Sequence, residues 1–274
     1  MPLEPRDHVM DLLAFGWHNA VSCGFAGFIF FFMGASHHFT VPHLARYDML
    51  LLLCLAWQVA VVALKVETVN ELKVVCIFHG LGLAMEVLKV HYGSWSYPGD
   101  GLLKIGGVPL FSGFMYASVA SYICQAWRRL NLTMVRWPRR VVAVPLAAAV
   151  YGNFMTNQFL PDARALLFPA ILLAYRRTWV EYTPRRGHRR YRMPMVFAFF
   201  FIAVFIFFAE NIGTFLGAWR YPNQHYGWEP VYFQKLSSWT LLVIVSVMIV
   251  AELQRYMLLR TGATDETRIG AGED

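Results

Sequence analysis

The chain of 274 residues is 57% hydrophobic and only 15% charged, with 24 Lys and Arg against 17 Asp and Glu. At a mean hydropathy of +0.44 it carries more apolar surface than one soluble core of this length hides, which excludes an ordinary water-soluble domain and makes lipid the expected cover. Backbone amides find no water inside a bilayer and the apolar runs lack the alternation of barrel strands, so the expected fold is an all-α integral membrane protein.

The N-terminus, Met1 to Asp11, mixes Glu4, Arg6, Asp7 and Asp11. It lacks the basic start of a cleaved signal peptide, so the first helix is expected to stay. Eight spans follow, at about Trp17–Ser36, Asp48–Leu64, Lys73–Val90, Val108–Trp127, Val141–Gln158, Ala163–Tyr175, Pro194–Leu216 and Tyr232–Gln254. Most approach the roughly 20 residues that cross a hydrocarbon layer about 30 Å thick. The sixth is short and interrupted by Pro169. Charge argues for keeping it. With eight crossings, Arg46, Lys89, Lys104, Arg164, Arg220 and Lys235 lie on one side and the other eighteen Lys and Arg on the opposite side, with both termini cytoplasmic, as the positive-inside rule requires. Without it, the loop Arg176 to Arg192 falls opposite the basic loop after the fourth span. That Arg-rich loop reads as a topology determinant touching anionic lipid, not as a nucleic-acid site. Thr261 to Asp274 reads as a disordered, solvated cytoplasmic tail. Cys23, Cys54, Cys76 and Cys124 sit in four different spans without paired spacing and read as small core residues.

One pattern occurs twice. Glu86, Gly93, Trp95, Tyr97 and Pro98, in GSWSYP, recur as Glu210, Gly217, Trp219, Tyr221 and Pro222, in GAWRYP, 124 residues on. A fainter echo pairs His38, Phe39, Pro42, Ala45 and Arg46 with Gln158, Phe159, Pro161, Ala163 and Arg164. The expectation is one transmembrane domain, 1–260, made of two repeats, about 12–129 and 140–256. Four helices per repeat is an even number, so the halves are parallel and equivalent residues share a depth. Both turns then face the outer side, with Glu86 and Glu210 roughly 10 Å deeper at 1.5 Å per residue. His37, His38, Asn157 and Gln158 belong to the same face.

Two readings of the aromatic residues stand. Trp95, Tyr97, Trp219, Tyr221, Trp228 and Tyr232 fit an interfacial belt, whereas the repeated Gly and Pro fit a specific turn. The carboxyls also have two readings. An acid at the centre of a spanning helix costs roughly 2.5–3.5 kcal/mol, which points to function; alternatively Lys89 pairs with Glu86 and Asn211 bonds near Glu210. His79, one face with Glu86, joins His37 and His38 as a weak metal pattern, but its counterpart is Ala203, so no metal ligands are assigned. Gly213 and Gly217 suit close helix packing. Asp-rich prenyl-diphosphate motifs, a phosphate loop, a nucleophile elbow and HExxH are absent.

The run from Glu86 through GSWSYP to VPLFSGFMYA, with KLSSW from Lys235 to Trp239, resembles an uncharacterised family of bacterial multi-spanning membrane proteins, domain-of-unknown-function family 817, the YoaT-type proteins. The resemblance implies the bacterial inner membrane and brings no activity with it. A more distant similarity is to membrane carotenoid cyclases and hydratases. Pro109 and Leu110 match their Pro-Leu pair, but Phe111 and Ser112 stand where those enzymes carry acids.

The leading expectation is binding or acid-base processing of a lipophilic, isoprenoid-like molecule near the outer leaflet. Glu86 and Glu210 would be the acids, and Trp95, Tyr97, Trp219, Tyr221, His37, His38, Asn157 and Gln158 the binding residues. The alternatives are a small-solute or ion permease with parallel repeats and Pro145 and Pro169 inside helices, and a scaffold without substrate. The bilayer and a lipophilic molecule are the expected partners.

Overall fold

The computed structural model describes residues 5–39, 41–260 and 269–271. Each of the eight apolar segments holds helix. The first is broken into α1 (Pro5–Ser22) and α2 (Gly24–Ala35), which meet at Cys23 with a 58° bend. Then come α3 (Arg46–Ala63), α4 (Val69–His91), α5 (Ser112–Arg129), α6 (Arg140–Thr156), α7 (Arg164–Tyr175), α8 (Met195–Phe215) and α9 (Lys235–Arg260).

Helices α3, α4, α8 and α9 are long and apolar enough to cross a membrane, and the bent α1–α2 pair is a fifth candidate. Helix α7, with 12 residues, extends only about 18 Å at 1.5 Å per residue. Helix α5 fails on hydropathy because it is the interior helix, packed against α1, α2, α4 and α9. It buries Ser112, Ser118, Ser121 and Gln125, and a helix walled by protein needs no lipid-facing apolar surface. Its approach to α4 depends on two glycines. A Cβ at Gly82 would meet the Tyr116 ring at 2.5 Å, and one at Gly113 the His79 carbonyl oxygen at 2.7 Å.

The all-α expectation needs correction outside the helices. Strands β1 (Lys104–Ile105) and β2 (Val108–Pro109) form a hairpin through Gly106 and Gly107, both at positive φ, as a two-residue primed turn requires. Strands β3 (Thr133–Trp137), β4 (Trp179–Tyr182), β5 (Tyr191–Pro194) and β6 (Ile269–Ala271) form a sheet in the order β5-β4-β3-β6. Thr133, Val135, Trp137, Trp179, Val180 and Tyr182 are β-branched or aromatic and favour strands, a preference hidden among the arginines of these loops. The tail is not wholly without structure, since β6 runs parallel to β3; positions 261–268 and 272–274 of that segment lie outside the described residues.

The sheet fixes which chain ends meet. Strand β3 follows α5, and β4 follows α7, so the two Arg-rich loops lie at one end of the bundle. Arg185, between β4 and β5, reaches Asp11 of α1 at 2.5 Å, and Arg140 reaches Glu252 of α9 at 2.5 Å. The opposite end, called here the turn end, gathers the loops after α2, α4, α6 and α8. Arg46 there donates to the Met33 carbonyl of α2 at 3.0 Å and to the Leu216 carbonyl behind α8 at 2.8 Å, capping two helix C-termini with one guanidinium.

Candidate functional site

Helices α4 and α8 stop in the same way. Gly93 donates its N–H to Val90 and Ser94 to Lys89, both at 2.9 Å, while Gly217 donates to Thr214 and Ala218 to Gly213, both at 3.0 Å. Gly93 has φ +70° and Gly217 φ +63°. This is the Schellman arrangement, which needs a left-handed residue just past the helix. Its consequence is positional, because the chain doubles back and returns the Tyr, and after α4 the Trp as well, to the glutamate one to two turns before the helix end.

Glu86, 3% exposed, receives three such bonds. Trp95 Nε1 donates to Oε2 at 2.6 Å, the Tyr97 hydroxyl to the same oxygen at 2.8 Å, and the Tyr116 hydroxyl to Oε1 at 2.6 Å. Glu210, 4% exposed, accepts from the Tyr221 hydroxyl on Oε1 and from Trp239 Nε1 on Oε2. Tyr116 is the fifth residue of α5 and Trp239 the fifth of α9, so the third donor is duplicated too. Trp219 departs from its counterpart. Its indole lies over Gly213, where a Cβ would collide with it.

The two sites touch. Ser96 and Arg220 exchange backbone hydrogen bonds at 2.9 Å in each direction, and the Trp95 and Tyr221 rings meet edge to face, 5.9 Å between centroids. A path of contacts therefore runs from Glu86 through Trp95 and Tyr221 to Glu210. The ammonium of Lys235 lies over both rings, 4.3 Å from the Tyr221 centroid and 5.2 Å from that of Trp95.

Several expectations are corrected. Lys89 does not pair with Glu86; its Nζ donates to Asn157 Oδ1 at 2.9 Å and lies 4.5 Å from the Phe154 centroid. Asn211 does not bond Glu210; it donates to the Phe207 carbonyl and accepts from Val231 N–H, each at 2.9 Å. The belt reading fails for Trp95, Tyr97, Trp219 and Tyr221, all buried, although Trp228 and Tyr232 are exposed. Of the other candidates, His37 Nε2 lies 2.7 Å from the Leu216 carbonyl oxygen, and Gln158 donates to Ser94 Oγ. With Asn157 they tie loops together at the turn end and bond neither carboxyl. His38 is exposed in a turn. His79 packs against Phe114 at 4.3 Å, and among the described residues no three His, Cys, Asp or Glu gather as metal ligands.

Tyr116, Trp239 and Lys235 are the site residues that the sequence reading passed over. Their signal was the pair of helix openings, SGFMY and KLSSW, which align once the offset is shortened by one. Glu67 was also missed. At the basic end it is 2% exposed and accepts from Gln58 Nε2 at 2.6 Å, Gln125 Nε2 at 3.0 Å and Ser121 Oγ, tying the α3–α4 connection to α5.

Beside the carboxyl pair runs an apolar crevice of about 60 Å³ between α4, α5, α6, α8 and α9. Met85, Tyr116, Tyr151, Ile206, Trp239 and Val243 are among its lining. Neither glutamate lines it. Tyr116 and Trp239 belong to its wall instead, each with its polar atom turned to a carboxylate.

In fold, the chain is similar to the crystal structure of a cross-linked MvINS trimer, with a TM-score of 0.50 at 15% identity over 69% of this chain and 95% of that one. In sequence, it is 50% identical over 247 residues to the uncharacterized protein YoaT of Bacillus subtilis (strain 168), covering 90% of this chain and 93% of that protein. Residues 11–247 match the family described as "Protein of unknown function (DUF817)". The chain belongs to the DUF817 family.

Proposed function

We propose that this protein is a multi-pass membrane protein holding a lipophilic molecule in the crevice between two four-helix halves. The observation that carries the reading is the wall of that crevice. It is apolar, it draws on α4 and α5 from one half and α6, α8 and α9 from the other, and its Tyr116 and Trp239 are each held by a buried carboxylate. Ligand sites of this kind lie between helices of bundles and combine apolar lining with a few oriented polar groups.

In this reading Glu86 and Glu210 position the wall. Their oxygens are already occupied by indole and hydroxyl donors, so their part is to hold those side chains in place. Eight crossings, with both termini and the Arg-rich end in the cytoplasm of a bacterial cell, agree with the shared β3–β4 sheet and with the positive-inside rule. The turn end then faces outward and the crevice opens toward the outer half of the bilayer.

The test is mass spectrometry of solvent extracts from purified wild-type protein and from a Leu81→Trp variant. Leu81 stands at the rim of the crevice and is 39% exposed, so the larger ring blocks the crevice without replacing a buried side chain. A lipophilic species bound stoichiometrically to wild type and lost from the variant is expected. Equal recovery from both proteins would place the molecule elsewhere and end the proposal.

A further inference from the structure

The crevice is lined almost wholly by apolar side chains, and two lysines stand beyond its lining toward the turn end. On α4, Met85 lines the crevice and Lys89 stands one turn nearer the turn end; on α9, Trp239 lines it and Lys235 stands one turn nearer that same end. Residues four apart share a helix face, so both lysines lie on the faces of α4 and α9 that line the crevice, about 6 Å beyond the lining residues at 1.5 Å per residue. On α6, Phe154 lies three residues past the lining residue Tyr151 and beneath the Lys89 ammonium.

Neither lysine forms an ion pair among the described residues. Lys89 is 3% exposed and has an amide oxygen and a ring for company; Lys235 has two rings. The two cations repel each other, while Glu210 and Glu86 attract Lys235 and Asp162 attracts Lys89, each from beyond ion-pair distance. Nearby Arg164 is different, because Asp162 holds it at 2.6 Å. Ammonium groups drawn out of water with no carboxylate at ion-pair distance are costly, and a ligand that brings a negative charge between the two relieves both.

We infer that the molecule held in the crevice is an anionic amphiphile, with a carboxylate or phosphate head between Lys89 and Lys235 and its hydrocarbon chain running past Tyr116 and Trp239. The inference rests on the crevice being a ligand site, and it names the chemical class of the occupant. Ammonium donors to a carboxylate or phosphate make charge-assisted bonds, stronger than neutral ones. The crevice itself takes a few methylene groups, and the remaining chain continues into lipid.

The experiment measures thermal unfolding of the detergent-purified full chain with oleate, dioleoyl phosphatidic acid, dioleoylglycerol or inorganic phosphate added separately. Wild type, Lys89→Gln/Lys235→Gln and Leu81→Trp are compared. Oleate, phosphatidic acid or both are expected to stabilise wild type with an apparent affinity about tenfold or more above that in the double-lysine variant, and Leu81→Trp is expected to abolish the effect. Which of the two acts tells a carboxylate head from a phosphate head. If dioleoylglycerol stabilises wild type and the lysine variant as well as the acids do, while Leu81→Trp abolishes binding, the crevice is a lipid site but this inference is wrong. If inorganic phosphate alone reproduces the effect, the lysines serve a free anion and the amphiphile is wrong. If no lipid acts, or Leu81→Trp changes nothing, the lipid site itself falls and this inference with it.

Discussion

Ser96 and Arg220, 124 positions apart in the chain, hydrogen-bond to each other through both backbone amides at 2.9 Å. The same offset separates Glu86 from Glu210 and Gly93 from Gly217. Reciprocal bonds between equivalent positions are what a twofold axis through the contact produces, since residue i meets j as j meets i. Two turns joined in this way lie at one end of the bundle. An inverted repeat would send them to opposite faces.

This pairing predicts a cross-link. Directly bonded residues of an antiparallel pair have Cα atoms about 5.5 Å apart, inside the range a disulfide spans, and both side chains are exposed. In a background with Cys23, Cys54, Cys76 and Cys124 replaced by serine, Ser96→Cys/Arg220→Cys is expected to oxidise to an intramolecular disulfide, seen as a reducible gel shift. Each single variant should label with a membrane-impermeant maleimide on intact cells. Labelling of one but not the other would separate the turns.

The two glutamates are predicted to differ in what they hold. Glu86→Ala strands three donors and Glu210→Ala two, and each buried donor left unpaired costs about 1–3 kcal/mol. Thermal unfolding in detergent should therefore show the larger loss at Glu86. Adding Tyr116→Phe to Glu86→Ala should cost less than Tyr116→Phe alone, because residues in one hydrogen-bond network do not add independently. Additive losses would disprove the network.

The glycines give a graded series. Gly217→Ala places a side chain at φ +63°, with an expected cost of about 1–2 kcal/mol. Gly213→Ala should cost more, since its Cβ would run into the Trp219 indole. Gly152→Ala, inside α6 with nothing within 4 Å of the added carbon, should be neutral or stabilising by up to about 1 kcal/mol. A melt that ranks Gly152→Ala below Gly213→Ala would contradict the packing described.

The helical segments were legible because hydropathy is a local property, and the duplicated turn was legible because a left-handed cap favours glycine, which stands at both Gly93 and Gly217. The strands were not. Their β-forming residues are interrupted by charge, Arg136 in Thr133–Trp137 and Glu181 in Trp179–Tyr182, and β3 finds its hydrogen-bond partners only in segments distant in sequence. The bend at Cys23 was hidden inside one continuous apolar run.

Partnership was harder still to read. Spacing along one helix offered Lys89 to Glu86, yet the structure gives Lys89 to Asn157, 68 residues away, and Glu86 to Tyr116, 30 residues away. By itself the sequence determined an apolar helical chain with two matched carboxyls and two matched turns, since those depend on composition and on short-range geometry. Which side chains complete each carboxyl, where a crevice opens and what Lys89 and Lys235 meet were decided only by tertiary packing, because a buried polar group bonds whatever donor the neighbouring helix brings within about 3 Å.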